Sequence, residues 1–251
     1  MTERKNILIT GASSGLGEGM ARQFAAKGRN LALCARRSDR LDTLAKELRE
    51  QHPEITVLTK ALDVNDHEAV FRVFGEFRDE LGSLDRVIAN AGLGKGQPIG
   101  TGYFFKANKR TAETNFVALL AQCEAAMEIF LAQQSGHLVV ISSVASVRGA
   151  PGNISTYAAS KAAATALAEG IRLQQRGGPV KVTTVKPGYI ESEMTARSPK
   201  TLLMVSNEKG VKGMIDVIER ESASSFVPWW PWALVSQVVR FAPGPIARKL
   251  M

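Results

Sequence analysis

The sequence predicts a doubly wound α/β fold, a seven-stranded parallel sheet held between two layers of helices. Three observations carry that prediction. Short apolar runs alternate with longer stretches of helical periodicity through residues 6–186. The runs are continuously apolar rather than alternating, as expected when helices cover both faces of a parallel sheet. A glycine-rich turn stands between the first run and the first helical stretch, where such sheets bind their ligands.

Each element has its own signal. Asn6 to Thr10 (NILIT) reads as the first strand, and Leu16, Met20 and Phe24 recur on one face of a helix that closes at Gly28. Leu31 to Ala35 is the second strand, followed by a helix over Asp39 to Gln51 with Leu41, Leu44, Ala45 and Leu48 inward. Ile55 to Leu62 is the third strand, and Val70, Val73, Phe74, Phe77 and Leu81 mark a helix over Asp66 to Leu81. The alternation continues with a strand at Val87 to Asn90, a helix from Ala112 to Gln133 and a strand at His137 to Ser142. A helix at Ser155 to Arg176 and a strand at Val180 to Lys186 follow. No repeat, low-complexity tract or Pro/Gly/Ser linker breaks the chain before about residue 190, so one domain over residues 1–251 is expected.

Composition narrows the class. With 45% hydrophobic and 22% charged residues, the chain resembles an ordinary globular protein with a sizeable core. Cys34 and Cys123 lie in apolar contexts without CxxC spacing, which suggests neither a disulfide framework nor a metal site and fits a reduced, cytoplasmic setting. Residues Met1 to Asn6 lack signal-peptide anatomy, and no run approaches the length of a membrane-spanning helix. The net charge of +8 is scattered, densest at Arg36-Arg37 and Arg248-Lys249. A solvated surface with some charge reserved for an anionic ligand is favoured, and no nucleic-acid partner is expected.

Gly11-Ala12-Ser13-Ser14-Gly15-Leu16-Gly17 occupies the turn after the first strand. Glycines there allow a tight turn and close backbone approach, and the next helix offers its N-terminal amides to a pyrophosphate. The usual dinucleotide fingerprint would put a further glycine at position 20, where Met20 stands. At the end of the second strand, an acidic residue would accept from a ribose 2′-hydroxyl and repel a 2′-phosphate. Arg36 and Arg37 stand there instead, and a guanidinium can fork two hydrogen bonds onto phosphate. NADP(H) is therefore expected in preference to NAD(H), with Arg36 as the direct contact and Arg37 as helper.

Tyr157 and Lys161 are four residues apart on a predicted helix, one above the other. An ammonium beneath a phenol favours the phenolate and should draw the tyrosine down from its ordinary pKa of about 10. A phenol so tuned can exchange a proton with a substrate oxygen.

Thr10-Gly11-x-x-x-Gly15-x-Gly17, Asn90-Ala91-Gly92, Asn115, Ser143 and Tyr157-x-x-x-Lys161 occur in that order in one chain. Together they resemble the short-chain dehydrogenase/reductase family, in its single-domain form, from about residue 5 to residue 195. The resemblance implies a Rossmann-type three-layer sandwich, a nicotinamide cofactor and hydride transfer at a carbonyl or alcohol carbon. It implies Tyr157 as general acid/base, Lys161 reaching the nicotinamide ribose, Ser143 on the substrate oxygen, and Asn115 holding a relay water beside Lys161. It further places Asp63 and Val64 at the adenine and Asn90, Ala91 and Gly92 beside the cofactor. Pro187, Gly188, Tyr189, Ile190 and Ser192 fall at the nicotinamide, and a homodimer or homotetramer is implied. Hydride transfer is weighed against a non-catalytic cofactor-binding protein and against an epimerase or dehydratase on the same scaffold. The site's intact residue set favours transfer.

Three departures stand out. Ser143 precedes Tyr157 by 14 residues, one more than the family's usual spacing, because the loop Pro151 to Ser155 looks one residue longer. Val144 holds the usual offset but cannot donate, and Ser142, by strand alternation, points to the opposite side from Ser143. Ala89 replaces an asparagine often found before Asn90, and Ser192 replaces a threonine.

Beyond Met194 the pattern loosens. Ser198 to Val211 is expected to cover the site as a flap, Asn207 to Arg220 to form a helix, and Ser225 to Pro228 a last strand. All three tryptophans lie in Pro228-Trp229-Trp230-Pro231-Trp232, ahead of an apolar stretch from Ala233 to Phe241. Packing over the substrate cleft or a subunit interface is the favoured placement, and peripheral membrane contact the alternative. A lipophilic substrate fits either.

Overall fold

The structure, a computed structural model, describes residues 3–195 and 203–245. Its strands are β1 (Asn6–Thr10), β2 (Asn30–Ala35), β3 (Val57–Ala61), β4 (Arg86–Ala89), β5 (Gly136–Ile141), β6 (Val180–Pro187) and β7 (Ser224–Val227). They pair in parallel in the order β3-β2-β1-β4-β5-β6-β7, the seven-stranded sheet that the alternation predicts. The helices are α1 (Gly15–Ala25), α2 (Ser38–Gln51), α3 (His67–Leu81), α4 (Phe104–Gln133), α5 (Ser155–Gln174), α6 (Asn207–Glu219) and α7 (Trp229–Phe241). Strand order reverses at β1, so a crevice opens beyond its C-terminal end.

Continuous apolar strands are needed because each one supplies two cores. Ile7, Ile9, Leu31, Leu33 and Val139 enter the layer closed by α1, α2 and α6. Leu8, Ala32, Val87, Leu138 and Val140 enter the layer closed by α3, α4 and α5. Helix ends follow their local chemistry. The Asp66 side chain accepts from the Ala69 amide at 3.0 Å to start α3, and Gly82 ends it in the left-handed region at φ 80°.

The largest departure from the predicted elements is α4. Its periodicity suggests a start near Ala112, yet the helix runs back to Phe104 through two turns of π geometry, Phe104–Asn108 and Glu113–Val117. The added turns carry no apolar inward stripe, since Phe104 and Phe105 face solvent and the buried residues are Asn108 and Thr111. Taken whole, Phe104–Gln133 is long and apolar enough to cross a membrane, which corrects the expectation that no segment is. It packs on α3 and β5, with Leu119, Cys123, Ala126 and Phe130 in the core. The flap expected over residues 198–211 falls partly outside the described residues. Within them, Val205 bridges to Ile190 and α6 begins at Asn207.

At the sheet end opposite the crevice lies a buried polar network. Arg86, 1% exposed, donates from Nε to Nδ1 of His137 at 2.9 Å and pairs through Nη1 with Glu219 at 2.5 Å. His137 Nε2 lies 2.8 Å from Thr183 Oγ1, so a neutral ring with its proton on Nε2 satisfies both contacts. Burial, with Arg86 and Arg4 nearby, holds the imidazole pKa well below its ordinary value. An unfolded histidine titrates near about 6.5, so the unfolded chain takes up this proton first as pH falls. Stability should be greatest above that pH and decline below it, by at most about 1.4 kcal/mol per pH unit. Denaturant midpoints compared at neutral and mildly acidic pH should show that decline, and His137→Gln should reduce it. Arg86→Met should cost about 1–3 kcal/mol at neutral pH by leaving the buried His137 Nδ1 without its donor, while Glu219 keeps Arg29.

Candidate active site

The glycine turn is locked by close contact. Gly11 and Gly15 adopt φ of 66° and 58°, which only glycine tolerates cheaply. A Cβ on Gly17 would lie 2.3 Å from the Gly11 carbonyl oxygen, and one on Gly11 would lie 2.9 Å from Ala91 Cα. The end of β4 therefore touches the turn directly. Amides of Asn90 and Ala91 each donate to Thr10 Oγ1 at 3.0 Å, and Asn90 Nδ2 donates to the Thr10 carbonyl at 2.9 Å. Ser14 begins α1 without a side-chain cap, leaving the first-turn amides for whatever the crevice holds.

Ser143, Tyr157 and Lys161 meet on the far wall. Ser143 is 8% exposed and accepts from the Ala145 amide at 3.1 Å, which starts the 3₁₀ turn Val144–Val147 and fixes its hydroxyl. Ser142 turns the other way, donating to the Lys161 carbonyl at 3.0 Å and contacting Thr165 Oγ1 at 2.7 Å. It fastens β5 to α5. The longer loop before Tyr157 is taken up by a second 3₁₀ turn, Gly152–Ile154, whose Asn153 carbonyl packs against Gly96.

Asn115 sits in the second π turn of α4 and is 1% exposed. Its Oδ1 accepts from the Leu93 amide at 2.7 Å, and its Nδ2 donates to the Leu93 carbonyl at 2.9 Å and to Ser160 Oγ at 3.1 Å. Ser160 in turn donates to the Tyr157 carbonyl at 2.8 Å. A Cβ on Gly92 would come within 3.2 Å of Asn115 Oδ1 and 3.5 Å of Lys161 Nζ, so these three groups share one small space.

The electrostatics differ from the simple pairing expected of Tyr157 and Lys161. Lys161 Nζ donates to the Ile141 carbonyl at 2.8 Å and lies 6.0 Å from the tyrosine ring centroid. Burial lowers its pKa to about 8. Burial likewise raises the Tyr157 pKa, opposed by the Ser143 hydroxyl. The expected depression of the phenol by the ammonium is thus corrected. Desolvation governs both groups.

The two arginines take different partners. Arg37 lies on the glycine turn, donating from Nε to Ser13 Oγ at 3.2 Å and from Nη2 to Ser14 Oγ at 2.6 Å. Arg36 faces Asp63 at 4.0 Å. Asp63 accepts from the amide and side chain of Asn65, whose Oδ1 is held by Thr114 at 3.1 Å. Asn65 and Thr114 carry no motif signal and emerge only from the fold.

The exit of β6 closes the circle. A Cβ on Gly188 would lie 2.1 Å from Trp232 Nε1, and the Tyr189 and Trp232 rings stand edge to face at 5.4 Å. Ile190 is buried, and Ser192 passes over Gly15. Of the three tryptophans, Trp232 alone is buried, and it lines the cleft with Val235, Ser236 and Val239. Trp229 and Trp230 remain exposed. The resulting cleft measures about 760 Å³. Every candidate catalytic or cofactor-binding residue lines it except Gly17 and Asn115, which with Thr10 lie behind its wall.

The sequence model for short chain dehydrogenases matches residues 5–202. The chain belongs to the short-chain dehydrogenase family. An uncharacterized oxidoreductase of Mycobacterium tuberculosis strain H37Rv is 54% identical over 246 residues, covering 98% of this chain and 97% of its own. A short-chain dehydrogenase from Sphingobium yanoikuyae, solved in complex with NADPH, superposes with a TM-score of 0.82 at 26% identity, covering 97% of this chain and 95% of its own. One from Burkholderia phymatum, solved with NAD, reaches 0.84 at 20% identity over 100% of this chain and 98% of its own, a likeness of fold. The fold and family implied by the sequence motifs are therefore shown, and this is an oxidoreductase family.

Proposed function

We infer that this short-chain dehydrogenase is an NADP(H)-dependent oxidoreductase acting on a carbonyl or alcohol carbon of a small, lipophilic substrate. The observation that carries it is the convergence of Ser143, Tyr157 and Lys161 on the wall of a cleft that begins at a glycine turn. The turn fits a pyrophosphate, since any Cβ on Gly11 or Gly17 would fill the space that brings backbone amides to the crevice. Solved relatives bound to NADPH and to NAD support a nicotinamide there. Arg36 and Arg37 favour the phosphorylated form.

When bound, the nicotinamide supplies or accepts the hydride. The chain supplies position and the proton. In reduction, the Ser143 and Tyr157 hydroxyls hold the substrate oxygen, and Tyr157 donates its proton as negative charge develops there. Lys161, charged below pH about 8, stabilises the phenolate that remains. Asn115 fixes the Leu93 backbone beside Lys161 and with it a water route for reprotonation. Tyr189, Trp232, Val235 and Val239 give the substrate end an apolar lining. A cofactor-binding protein without turnover would have no use for a proton donor and a buried lysine in one cleft.

Tyr157→Phe should lower kcat by about 10²–10⁴-fold, the usual worth of a positioned acid, while NADPH binding by fluorescence stays intact. A screen of NADPH oxidation over aldehydes, ketosteroids, quinones and 3-oxoacyl thioesters supplies the substrate for that measurement. Retained turnover in the variant would defeat the general-acid role. Because Lys161 is an ammonium below pH about 8 and neutral above it, kcat/KM for reduction should fall as pH rises through about 8. Lys161→Met should remove that limb of the profile.

The outer face of α7 supports peripheral membrane contact. Leu234, Val238 and Phe241, spaced along one side, are 55%, 50% and 76% exposed, and Trp229 and Trp230, ahead of a break in the helix at Trp230, are 67% and 65% exposed. No acidic residue follows Glu221 in the chain, whereas Arg240, Arg248 and Lys249 do, the last two outside the described residues. Tryptophan with basic residues suits an anionic headgroup layer. The protein should sediment with vesicles containing phosphatidylserine and less with neutral ones, and Trp229→Ser with Trp230→Ser should abolish the difference. Loss of oligomer mass in that variant, without vesicle binding by the parent, would make the face a subunit interface.

A further inference from the structure

Arg36, Arg37 and Arg40 lie within five positions at the exit of β2, and their carboxylate partners among the described residues come from elsewhere in the fold. Glu193 is the one that matters. It stands on the segment leaving β6, 156 residues from Arg37 in sequence, directly after Ser192 above the glycine turn. Its Oε2 accepts from Arg37 Nη1 at 3.1 Å and its Oε1 from Arg40 Nη1 at 2.5 Å. The same Arg37 guanidinium uses its other nitrogens on Ser13 and Ser14 of the turn. Glu193 thus bridges from the β6 exit to the β2 exit, across the mouth of the cleft it lines.

We propose that Glu193 is a built-in occupant of the 2′-phosphate subsite, an ionic clasp that NADP(H) must displace and NAD(H) need not. The inference rests on the NADP(H) reading above and deepens it. A carboxylate held between two guanidiniums offers the same pair of anionic oxygens that a phosphate would present to them. The two guanidiniums also hold Glu193 ionised, with its pKa lowered to about 2, so the clasp is charged throughout the physiological range. Both ends are half-exposed, and ion pairs of that kind are weak and screened by salt. A phosphate near −2 charge can therefore open what a carboxylate closes.

The consequence is a specificity set by competition. Arginines alone would favour the 2′-phosphate strongly. With Glu193 neutralising two of them, that preference shrinks, and a ribose hydroxyl, which carries no charge, is left tolerated.

Adenosine 2′,5′-bisphosphate and 5′-AMP separate the subsite from the nicotinamide, and their Kd values can be read by calorimetry on the full chain. Glu193→Gln should tighten the bisphosphate by about three- to fivefold, the scale of an exposed ion pair, and leave 5′-AMP unchanged. Glu193→Asp should keep the parent's values, and Arg37→Met should weaken the bisphosphate in either background. Unchanged bisphosphate affinity in Glu193→Gln, with Arg37→Met still weakening it, would overturn the clasp and leave the NADP(H) reading standing. Equal affinity of the parent and Arg37→Met for both nucleotides would overturn that reading, and the clasp with it.

Discussion

The whole site depends on how closely the turn after β1 approaches the end of β4. Backbone meets backbone there, with space for no side chain at Gly11 or Gly17. Thr10 joins the two strands with its hydroxyl, accepting from consecutive amides of the Asn90-Ala91 peptide. Glycine lowers helix and strand stability, so a chain keeps it where sterics leave no alternative. The result is a floor whose polar groups are already oriented before any ligand arrives, and preorganisation of that kind is what makes fixed dipoles effective. Asn90, Ala91 and Gly92 then lead straight from this floor to Asn115 and Lys161.

Much of this was legible in the sequence because it is local. The strands are apolar runs, the helices have inward stripes, and the turn, the triplet and the Tyr157–Lys161 spacing are all short-range patterns. Strand alternation separates Ser142 from Ser143 correctly, since one hydroxyl goes to α5 and the other lines the cleft. What sequence could not give arises from contacts distant along the chain. The start of α4 is hidden because π turns break the periodicity that announces a helix. The tie of Arg37 to Ser13 and Ser14 depends on strand-end direction. Glu193 has no signal at all, for its partners are 153 and 156 residues away.

The π turn at Glu113–Val117 has a physical purpose visible in its hydrogen bonds. Asparagine is a poor residue for a helix interior, because its amide competes with the backbone. Here Asn115 is spared that conflict by reaching out of the helix to both backbone groups of Leu93. Such bulges frequently mark functional positions, since they re-aim a side chain without ending the helix. The loop after β4 is thereby tied to α4, and through Ser160 to α5, so three elements hold one small space beside Lys161.

Within that space the two key groups are poised by desolvation rather than by each other. Burial moves the lysine down and the tyrosine up, so the phenol keeps its proton while the ammonium, among the described residues, is held by the Ile141 carbonyl. A proton donor at neutral pH is what reduction needs. The balance changes once the phenol gives up that proton. A phenolate and an ammonium in a cleft closed to water attract far more strongly than the same pair in solvent, and the coupling grows as water leaves. Burial that opposes ionisation of each group alone therefore favours ionisation of the two together. In the proposed reaction, that difference between the isolated groups and the charged pair is what the buried Lys161 contributes to Tyr157.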